Sequence, residues 1–154
     1  MTSTAGSDNR GFSLLELTLV LLLLGLSSLI VLPNIERGLK DRQVRGSALA
    51  LAAVARDLRS RALDHGIPQR LVLRLGENSY MAAPNREFQL PPDVKFAQVE
   101  GGETADGQRR TFLFFPNGSS FGGIIVLSGG GAALYSVRLE PLTGKVEVSR
   151  GEQS

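Results

Sequence analysis

The sequence contains no cysteine and a single histidine, and these two scarcities exclude several classes of site. Without cysteine there is neither a disulfide nor a thiolate metal ligand, and the redox compartment is left undetermined. His65 has no second imidazole or thiol with which to share a metal ion, so we expect it to cap or pack a helix. A formal net charge of +2 is too small to indicate nucleic-acid binding by itself. We therefore expect no metal ion and no cofactor.

Charge is also scarce near the amino terminus, where one carboxylate interrupts a long uncharged run. Glu16 lies near the start of an apolar stretch that covers residues 12–32. This length suits a helix that crosses a hydrocarbon core about 30 Å thick, at roughly 1.5 Å rise per residue. A cleaved secretory signal would have an apolar region of only about 7–15 residues, whereas this run continues beyond Ser28. An ionised carboxylate is costly in such a helix, so Glu16 is a candidate functional residue.

The residues around Glu16 form a motif. Arg10-Gly11-Phe12-Ser13-Leu14-Leu15-Glu16 follows a short polar leader and resembles the prepilin signal of the type IV pilin and type II secretion pseudopilin superfamily. The resemblance implies that a prepilin peptidase cuts between Gly11 and Phe12 and that the new Phe12 amine is N-methylated. It further implies that Glu16 meets the terminal amine of a neighbouring subunit during filament assembly, which would offset the cost of burying a charge. The alternative is a plain membrane anchor in which Glu16 lies at the headgroup boundary.

The charges that flank the apolar run disagree with the orientation that this motif implies. Arg10 precedes the run, whereas Arg37, Lys40, Arg42 and Arg45 follow it. Counted alone, they would place the carboxy-terminal body in the cytoplasm by the positive-inside rule. We follow the processing motif, because the later basic residues lie on a continuing helix among acidic ones. It implies a single-pass protein of the bacterial inner membrane, with its globular domain in the periplasm.

Beyond the apolar run, the pattern predicts that the helix continues to residue 65. Pro33 should kink it, since proline lacks an N–H and clashes with the preceding turn. Small and apolar residues then recur in steps of three and four, as on one face of a helix: Val44, Ala48, Leu51, Ala55, Leu58 and Ala62. We expect this stripe to pack against the globular domain of the same chain, with a contact between subunits as the alternative. His65-Gly66-Ile67-Pro68 predicts the end of the helix.

From Gln69 onward the apolar period changes to two, which predicts short β-strands separated by turns. The predicted strands are residues 69–75, 79–83, 86–90, 94–99, 109–115, 123–127, 135–140 and 145–149. Residues 100–108, rich in glycine and acid, are predicted to form an exposed loop, and their acidic spacing matches no known calcium-binding loop.

These patterns predict an α+β fold in which a long amino-terminal helix packs on an antiparallel β-sandwich. The predicted parts are a cleaved leader (residues 1–11), a transmembrane helix (12–32), an amphipathic continuation of the helix (33–65) and a β-sandwich domain (66–154).

A glycine-rich segment in the second half of the chain narrows the choice of family. Phe115-Pro116-Asn117-Gly118-Ser119-Ser120-Phe121-Gly122-Gly123, followed by an apolar strand and by Thr143-Gly144-Lys145-Val146, resembles the GspH/FimT group of minor pseudopilins and minor pilins. The resemblance implies a pilin-like fold and an H-type minor pseudopilin of type II secretion, which is a structural subunit near the tip of the pseudopilus. The implied partners are other major and minor pseudopilins, the prepilin peptidase and the inner-membrane secretion platform, with secreted cargo as a further candidate.

The same segment also fits a catalytic pattern. Gly118-Ser119-Ser120-Phe121-Gly122 matches the G-x-S-x-G pattern of a nucleophile elbow. That motif needs a helix after the serine and a histidine later in the chain, whereas a strand is predicted here and His65 precedes Ser120. We interpret the segment as a hairpin whose glycines supply the required backbone angles, and we expect no enzymatic activity.

The alternative function is that of a FimT-like minor type IV pilin involved in pilus assembly or DNA uptake. Such proteins can bind DNA through basic residues near their carboxy terminus, where Lys145 and Arg150 lie in this chain. Glu147 and Glu152 interleave with them, and phosphate binding depends on clustered positive charge. Nucleic acid is therefore the less favoured partner.

Overall fold

The computed structural model describes residues 12–104, 106–130 and 134–151, with their side chains except those of residues 29–37. The predicted leader, and with it Gly11, lies outside the described residues. The chain divides into two compact units, Met1–Glu36 (the first unit) and Arg37–Ser154 (the second unit). The division falls within the long helix.

That helix, α1, begins at Leu14, two residues after the predicted start, and ends at His65 as the sequence predicts. In the first unit, the side chains of residues 14–28 are all exposed. Within the described part of the chain, no helix is both long enough and apolar enough to qualify as a membrane-crossing segment. The helix continues through Pro33, and the kink there stays a prediction.

In the second unit, α1 buries one narrow face. All six residues of the predicted stripe are at most 1% exposed: Val44, Ala48, Leu51, Ala55, Leu58 and Ala62. Ala52 joins them at 0%. The expectation that this half of the helix packs against its own domain is confirmed.

The carboxy-terminal end of α1 also forms as the sequence predicts. Gly66 has a left-handed φ of +67°, and its N–H donates to the Ala62 carbonyl at 3.1 Å. Glycine adopts this conformation without the steric penalty that a Cβ would bring. In the last turn, Nδ1 of His65 lies 3.0 Å from the Arg61 carbonyl, so His65 caps the helix as expected.

Nine β-strands lie within the described residues, and every pairing between them is antiparallel. They are β1 (Gln69–Arg74), β2 (Ser79–Ala82), β3 (Arg86–Gln89), β4 (Val94–Gly101), β5 (Glu103–Thr104), β6 (Arg109–Phe114), β7 (Gly123–Gly129), β8 (Leu134–Leu139) and β9 (Val146–Gly151). One sheet has the order β3-β2-β1-β6-β5 (sheet A), and the other has the order β4-β7-β8-β9 (sheet B). All eight predicted strands are present, with ends that agree to within two residues.

Alternate residues of both sheets meet the helix stripe in one hydrophobic core. The fully buried members include Leu71, Leu73, Phe112 and Phe114 of sheet A, and Ile125, Leu127 and Val137 of sheet B. Burying a side chain of this size contributes roughly 1.5–3 kcal/mol relative to leaving it in water. The period of two that predicts the strands thus also identifies which residues face the core.

Helix α1 lies between one edge strand of each sheet. At the start of β9, Nη2 of Arg56 donates to the Val146 carbonyl at 2.9 Å. On the other side, Nη1 of Arg86 in β3 lies 3.8 Å from Oδ2 of Asp57. Because Arg56 and Asp57 are consecutive on the helix, β3 and β9 flank the same turn of α1.

The prediction of an exposed loop at residues 100–108 is wrong in part. Strand β4 continues to Gly101, and β5 pairs with β6 at the edge of sheet A. The chain changes sheets at Gly101 and Gly102, which have φ values of +77° and +66°. A Cβ at Gly101 would come within 2.5 Å of the Gly122 carbonyl oxygen. Two glycines therefore make a crossing between sheets at a point where composition alone predicts only a loop.

The interpretation of the glycine-rich segment as a hairpin holds only locally. Phe114 and Ser120 form an antiparallel bridge, and the Phe115 N–H donates to the Ser119 carbonyl at 2.9 Å, but the strands on either side of the segment do not pair with each other. Residues 115–122 connect β6 in sheet A with β7 in sheet B. Gly118 and Gly122 do have the left-handed angles that were expected, with φ values of +86° and +67°. The segment changes sheets because Ser120, after one bridge to Phe114, is held by the loop between β8 and β9, as described below.

Candidate functional site

The candidate assembly site is the start of α1, where Ser13 caps the helix. The Ser13 hydroxyl oxygen accepts a hydrogen bond from the Leu15 N–H at 3.3 Å, and its carbonyl accepts one from the Leu17 N–H at 3.0 Å. Glu16 is the third helical residue, so Ser13 and Glu16 have the spacing of a capping box. A carboxylate in the first turn is stabilised by the positive end of the helix dipole. Sequence reasoning that treated Glu16 only as a charge in an apolar run missed this S-x-x-E signal.

The residues after the cap present an apolar surface. Large apolar side chains in residues 12–26 are between 45% and 82% exposed, and Phe12, the predicted new amino terminus, is the most exposed of them. Three hydroxyls on this part of the helix donate to backbone carbonyls three or four residues earlier, at 2.8–2.9 Å. They belong to Thr18, Ser27 and Ser28. Such bonds satisfy a hydroxyl within its own helix. Glu16 is the only charged residue in residues 12–35, and it is exposed on this apolar surface.

Ser120, the serine of the G-x-S-x-G pattern, has a structural role. It is only 7% exposed. Its hydroxyl donates to the Glu140 carbonyl at 3.0 Å and accepts from the Gly122 N–H at 3.1 Å, and its own N–H donates to the Pro141 carbonyl at 2.8 Å. Strand β7 follows it at Gly123. The Ser120 hydroxyl therefore joins two loops.

These two loops carry most of the family resemblance, and we call them together the glycine clasp: residues 115–122 and residues 140–145. Gly144 has a left-handed φ of +59°, and a Cβ there would overlap the Gly118 carbonyl oxygen. Nε of Arg59 on α1 donates to the Thr143 carbonyl at 2.9 Å. The glycines of the motif are thus required by close approach of two backbones and by the turn conformation.

The basic residues near the carboxy terminus, which were candidates for binding DNA, lie beside acidic ones. Nζ of Lys145 is 2.6 Å from Oε1 of Glu147. Nη2 of Arg150 is 3.9 Å from Oδ1 of Asp41, a separation longer than a hydrogen bond. The hydrogen bond between Lys145 and Glu147 raises the pKa of the lysine and lowers the pKa of the carboxyl. This pairing reduces the positive charge that a phosphate would meet.

Two acidic residues of segment 100–108 accept hydrogen bonds from groups close to them in the chain. Oδ1 of Asp106 accepts from the N–H groups of Gln108 and Arg109, at 3.2 Å and 2.9 Å, just before β6. Oε1 of Glu100 accepts from Nε2 of Gln98 at 2.6 Å. In the part of the chain that the structure describes, no three side chains of histidine, cysteine, aspartate or glutamate gather as metal ligands would.

Comparison with known proteins agrees with the fold. No family model matches the sequence. The chain is 30% identical over 121 residues to type II secretion system protein H of Xanthomonas campestris pv. campestris, an alignment that covers 77% of this chain and 71% of that protein.

Two solved structures share the pilin-like fold, in which a helix packs on antiparallel sheets. The minor pseudopilin EpsH from the type 2 secretion system of Vibrio cholerae has a TM-score of 0.58 at 11% identity, covering 70% of this chain and 97% of that chain. The type IV minor pilin FimU of Pseudomonas aeruginosa has a TM-score of 0.55 at 10% identity, covering 70% and 89%. By its sequence identity to the Xanthomonas protein, the chain belongs to the type II secretion system protein H family.

Proposed function

We propose that this chain is a minor pseudopilin, a structural subunit of the type II secretion pseudopilus that acts near its tip in protein export across the outer membrane. Membership of the protein H family supports this role. The hydrogen bonds of Ser120 and the contacts of the glycine clasp support a structural role for the residues of the family motif. The proposed partners are other major and minor pseudopilins, the inner-membrane secretion platform and secreted cargo.

The first unit is proposed to anchor the protein in the bacterial inner membrane, with residues 12–32 crossing it once and the second unit in the periplasm. The exposed leucines of residues 14–26 support this proposal, because so large an apolar surface is stable in lipid or against other apolar helices. The hydroxyls of Thr18, Ser27 and Ser28 support it too, since each is already bonded to its own helix.

Within this segment, Glu16 is proposed to bind the amino-terminal amine of a neighbouring subunit. The observation that carries the proposal is that Glu16 is the one charge on an otherwise apolar helix surface. Cleavage after Gly11 by the prepilin peptidase would free the amine of Phe12, and N-methylation in a second step would leave that amine basic. An amine from a neighbour would offset the penalty for the carboxylate, which is roughly 2.5–3.5 kcal/mol at the centre of a membrane helix and less near its end.

Charge removal at Glu16 tests the pairing. We expect Glu16→Gln and Glu16→Leu to insert into the inner membrane but to be lost from the pseudopilus, as measured by membrane fractionation and by recovery of the chain in sheared filaments. Thr18→Val is the matched control, because the Thr18 hydroxyl bonds only within its helix, and this variant should assemble normally. Normal incorporation of Glu16→Gln would show that no charge pairing is needed.

Intact mass tests the processing step separately. The mature chain should begin at N-methylated Phe12, and Gly11→Ala should leave the longer, unmethylated precursor. Asn9→Ala, a leader change outside the Gly11-Phe12 bond, should be processed as the wild type is. An unprocessed wild-type chain in cells that contain the peptidase would contradict the proposed cleavage.

The fold shared with FimU favours one second candidate, a FimT-like minor type IV pilin involved in pilus assembly or DNA uptake. The pairing of Lys145 with Glu147 argues against its DNA-binding form. A salt-dependent gel shift with residues 35–154 separates the two functions. We expect no binding even at low salt, and clear binding at moderate salt would favour DNA uptake.

A further inference from the structure

An open groove of about 560 Å³ lies between α1 and the edge strand β3, entirely within the second unit. Its helix wall is uncharged and includes Gly46 and Ala50, and its opposite wall is formed by residues 87–91 with Tyr80. A Cβ added at Gly46 would meet nothing within 4 Å. The small helix residues therefore keep a space open beside the edge of sheet A.

The edge of β3 that faces this groove has unused hydrogen-bonding groups. Strand β3 pairs with β2 on one side only. The Leu90 N–H donates to the Asn78 carbonyl at 3.1 Å. Because every second residue of an antiparallel strand bonds to its neighbour, this bond shows which residues of β3 point their backbone groups toward β2. Glu87 and Gln89 then point their backbone N–H and C=O groups away from β2. An edge of this kind is a template for another strand.

The wall of the groove that sheet A forms is largely apolar. The rings of Tyr80 and Phe88 are stacked, with centroids 5.0 Å apart and planes inclined by 13°. Leu90, only 4% exposed, lies at the end of the same wall. Glu87 is the one charged residue that lines the groove among the described residues, and its carboxylate is 3.1 Å from Nη1 of Arg74. At the end of the groove next to Arg86, the guanidinium carbon of that residue lies 5.3 Å from the centroid of the Phe88 ring. A strand in the rest of the groove would place alternate side chains against the rings, so those side chains should be apolar and uncharged.

We propose that an extended, uncharged segment of another subunit of the pseudopilus adds to β3 as an outer strand of sheet A, between β3 and α1. Its backbone bonds the outward groups of Glu87 and Gln89, and its inward side chains cover Tyr80 and Phe88. The identity of the partner rests on the proposed function, whereas the free edge and the apolar groove are properties of this chain.

The position of α1 identifies the kind of segment that fits. A strand that enters between β3 and α1 has the helix on its far side, so it cannot already carry a neighbouring strand there. Each described strand of this chain pairs with at least one other strand, so no described strand of a folded second copy fits. The occupant is therefore a tail or loop rather than a paired strand, and the proposed function assigns it to a different subunit.

The absence of cysteine from the sequence makes a direct test possible. The full chain with the single substitution Gln43→Cys, on the helix wall, is co-expressed with each other minor pseudopilin of the same secretion system. Each partner carries one cysteine, moved residue by residue along its extended tails and loops. We expect disulfide crosslinks at one residue of one partner segment, or at two residues that are two positions apart, with much weaker crosslinks at the residues directly before and after. Alternate side chains of a strand face the groove, and a disulfide joins only Cα atoms less than about 7 Å apart.

A matched pair of variants tests the backbone contact. Glu87→Pro and Glu87→Ala both remove the carboxylate and its contact with Arg74, but only proline also removes the outward N–H. Neither should disturb the pairing with β2, because that N–H points away from it. We expect Glu87→Pro to reduce the crosslink yield about tenfold and Glu87→Ala to retain it.

A second pair keeps the test independent of Glu87. Gly46→Leu should fill the groove and abolish the crosslink, whereas Gly46→Ala should leave it, and thermal unfolding should show both variants folded. The proposal is overturned if no tested segment crosslinks in this pattern, if the only crosslinked product is a dimer of this chain, or if Glu87→Pro crosslinks as well as Glu87→Ala. Assembly of Glu16→Gln is scored apart, so normal assembly with a crosslink that depends on Glu87 would refute the amine pairing and support strand addition.

Discussion

Both halves of α1 are helical, but the first half exposes its apolar side chains and the second half buries them. In residues 14–26 of the first unit, the leucines are between 52% and 81% exposed. In the second unit, Val44, Leu51 and Leu58 are at most 1% exposed. The first half is apolar all round, whereas the second has a narrow stripe that matches the sheets beside it.

This difference teaches where each half obtains its stability. Helical propensity alone contributes little, and most of the stability of a helix in a protein comes from burying one face. The second half buries its face within the chain. The first half has no comparable burial among the described residues of this chain, and the proposed contacts with lipid or neighbouring helices would supply it.

Truncating one leucine in each half tests this difference most directly. Leu51→Ala should lower the free energy of unfolding of the second unit by roughly 2–5 kcal/mol, because it removes fully buried atoms and leaves a cavity. Leu22→Ala, at a side chain that is 61% exposed, should leave it unchanged. Urea unfolding of the full chain in mild detergent, followed by tyrosine fluorescence, measures this, since both tyrosines lie in the second unit. Equal losses in the two variants would refute the separation.

Glycine substitutions give a somewhat smaller contrast. Gly144→Ala should cost roughly 1–3 kcal/mol of unfolding free energy, because its φ of +59° is left-handed and the Gly118 carbonyl leaves no space for a Cβ. Gly25→Ala, in the first unit, meets nothing within 4 Å and should leave the second unit unaffected.

Gly46→Ala is a control in which the free energy of unfolding should change in the opposite direction. It is a helical glycine with open space around it, so alanine should stabilise the second unit by about 0.5–1 kcal/mol. The same urea midpoints report all three glycine variants. A stable Gly144→Ala protein would mean that the glycine clasp can open without loss.

The sequence predicts the elements well because periodicity reports which face of each element is buried. The stripe from Val44 to Ala62 and the alternation at Leu71 and Leu73 are local patterns, and the structure buries them as expected. The connection from β6 to β7 was not predictable in this way. Gly118 and Gly122 specify backbone angles, but the sheet that the next strand joins depends on Ser120 bonding a distant loop.

The residues of the candidate site also differ in whether the sequence predicts them. The prepilin motif points to Gly11, Phe12 and Glu16 directly, and the S-x-x-E spacing of Ser13 and Glu16 is typical of a helix cap. The groove beside β3 was not accessible to sequence reasoning, because Gly46 and Phe88 line the same groove only after the helix and sheet A have packed.

The smallest expected effect is a pH dependence that belongs to the second unit alone. Burial raises the pKa of Tyr80, so the folded state holds this proton more tightly than the unfolded state does. The stability that this difference contributes is fully present below the ordinary tyrosine pKa of about 10, and it is lost as the pH rises from there through the folded pKa. Tyr80→Phe has no proton to lose at this position. Between about pH 9 and pH 11 the free energy of unfolding of the wild type, followed by circular dichroism, should therefore fall more steeply than that of Tyr80→Phe. Parallel curves would mean that the phenol ionises as easily in the folded protein as in water, and would contradict a raised pKa of Tyr80.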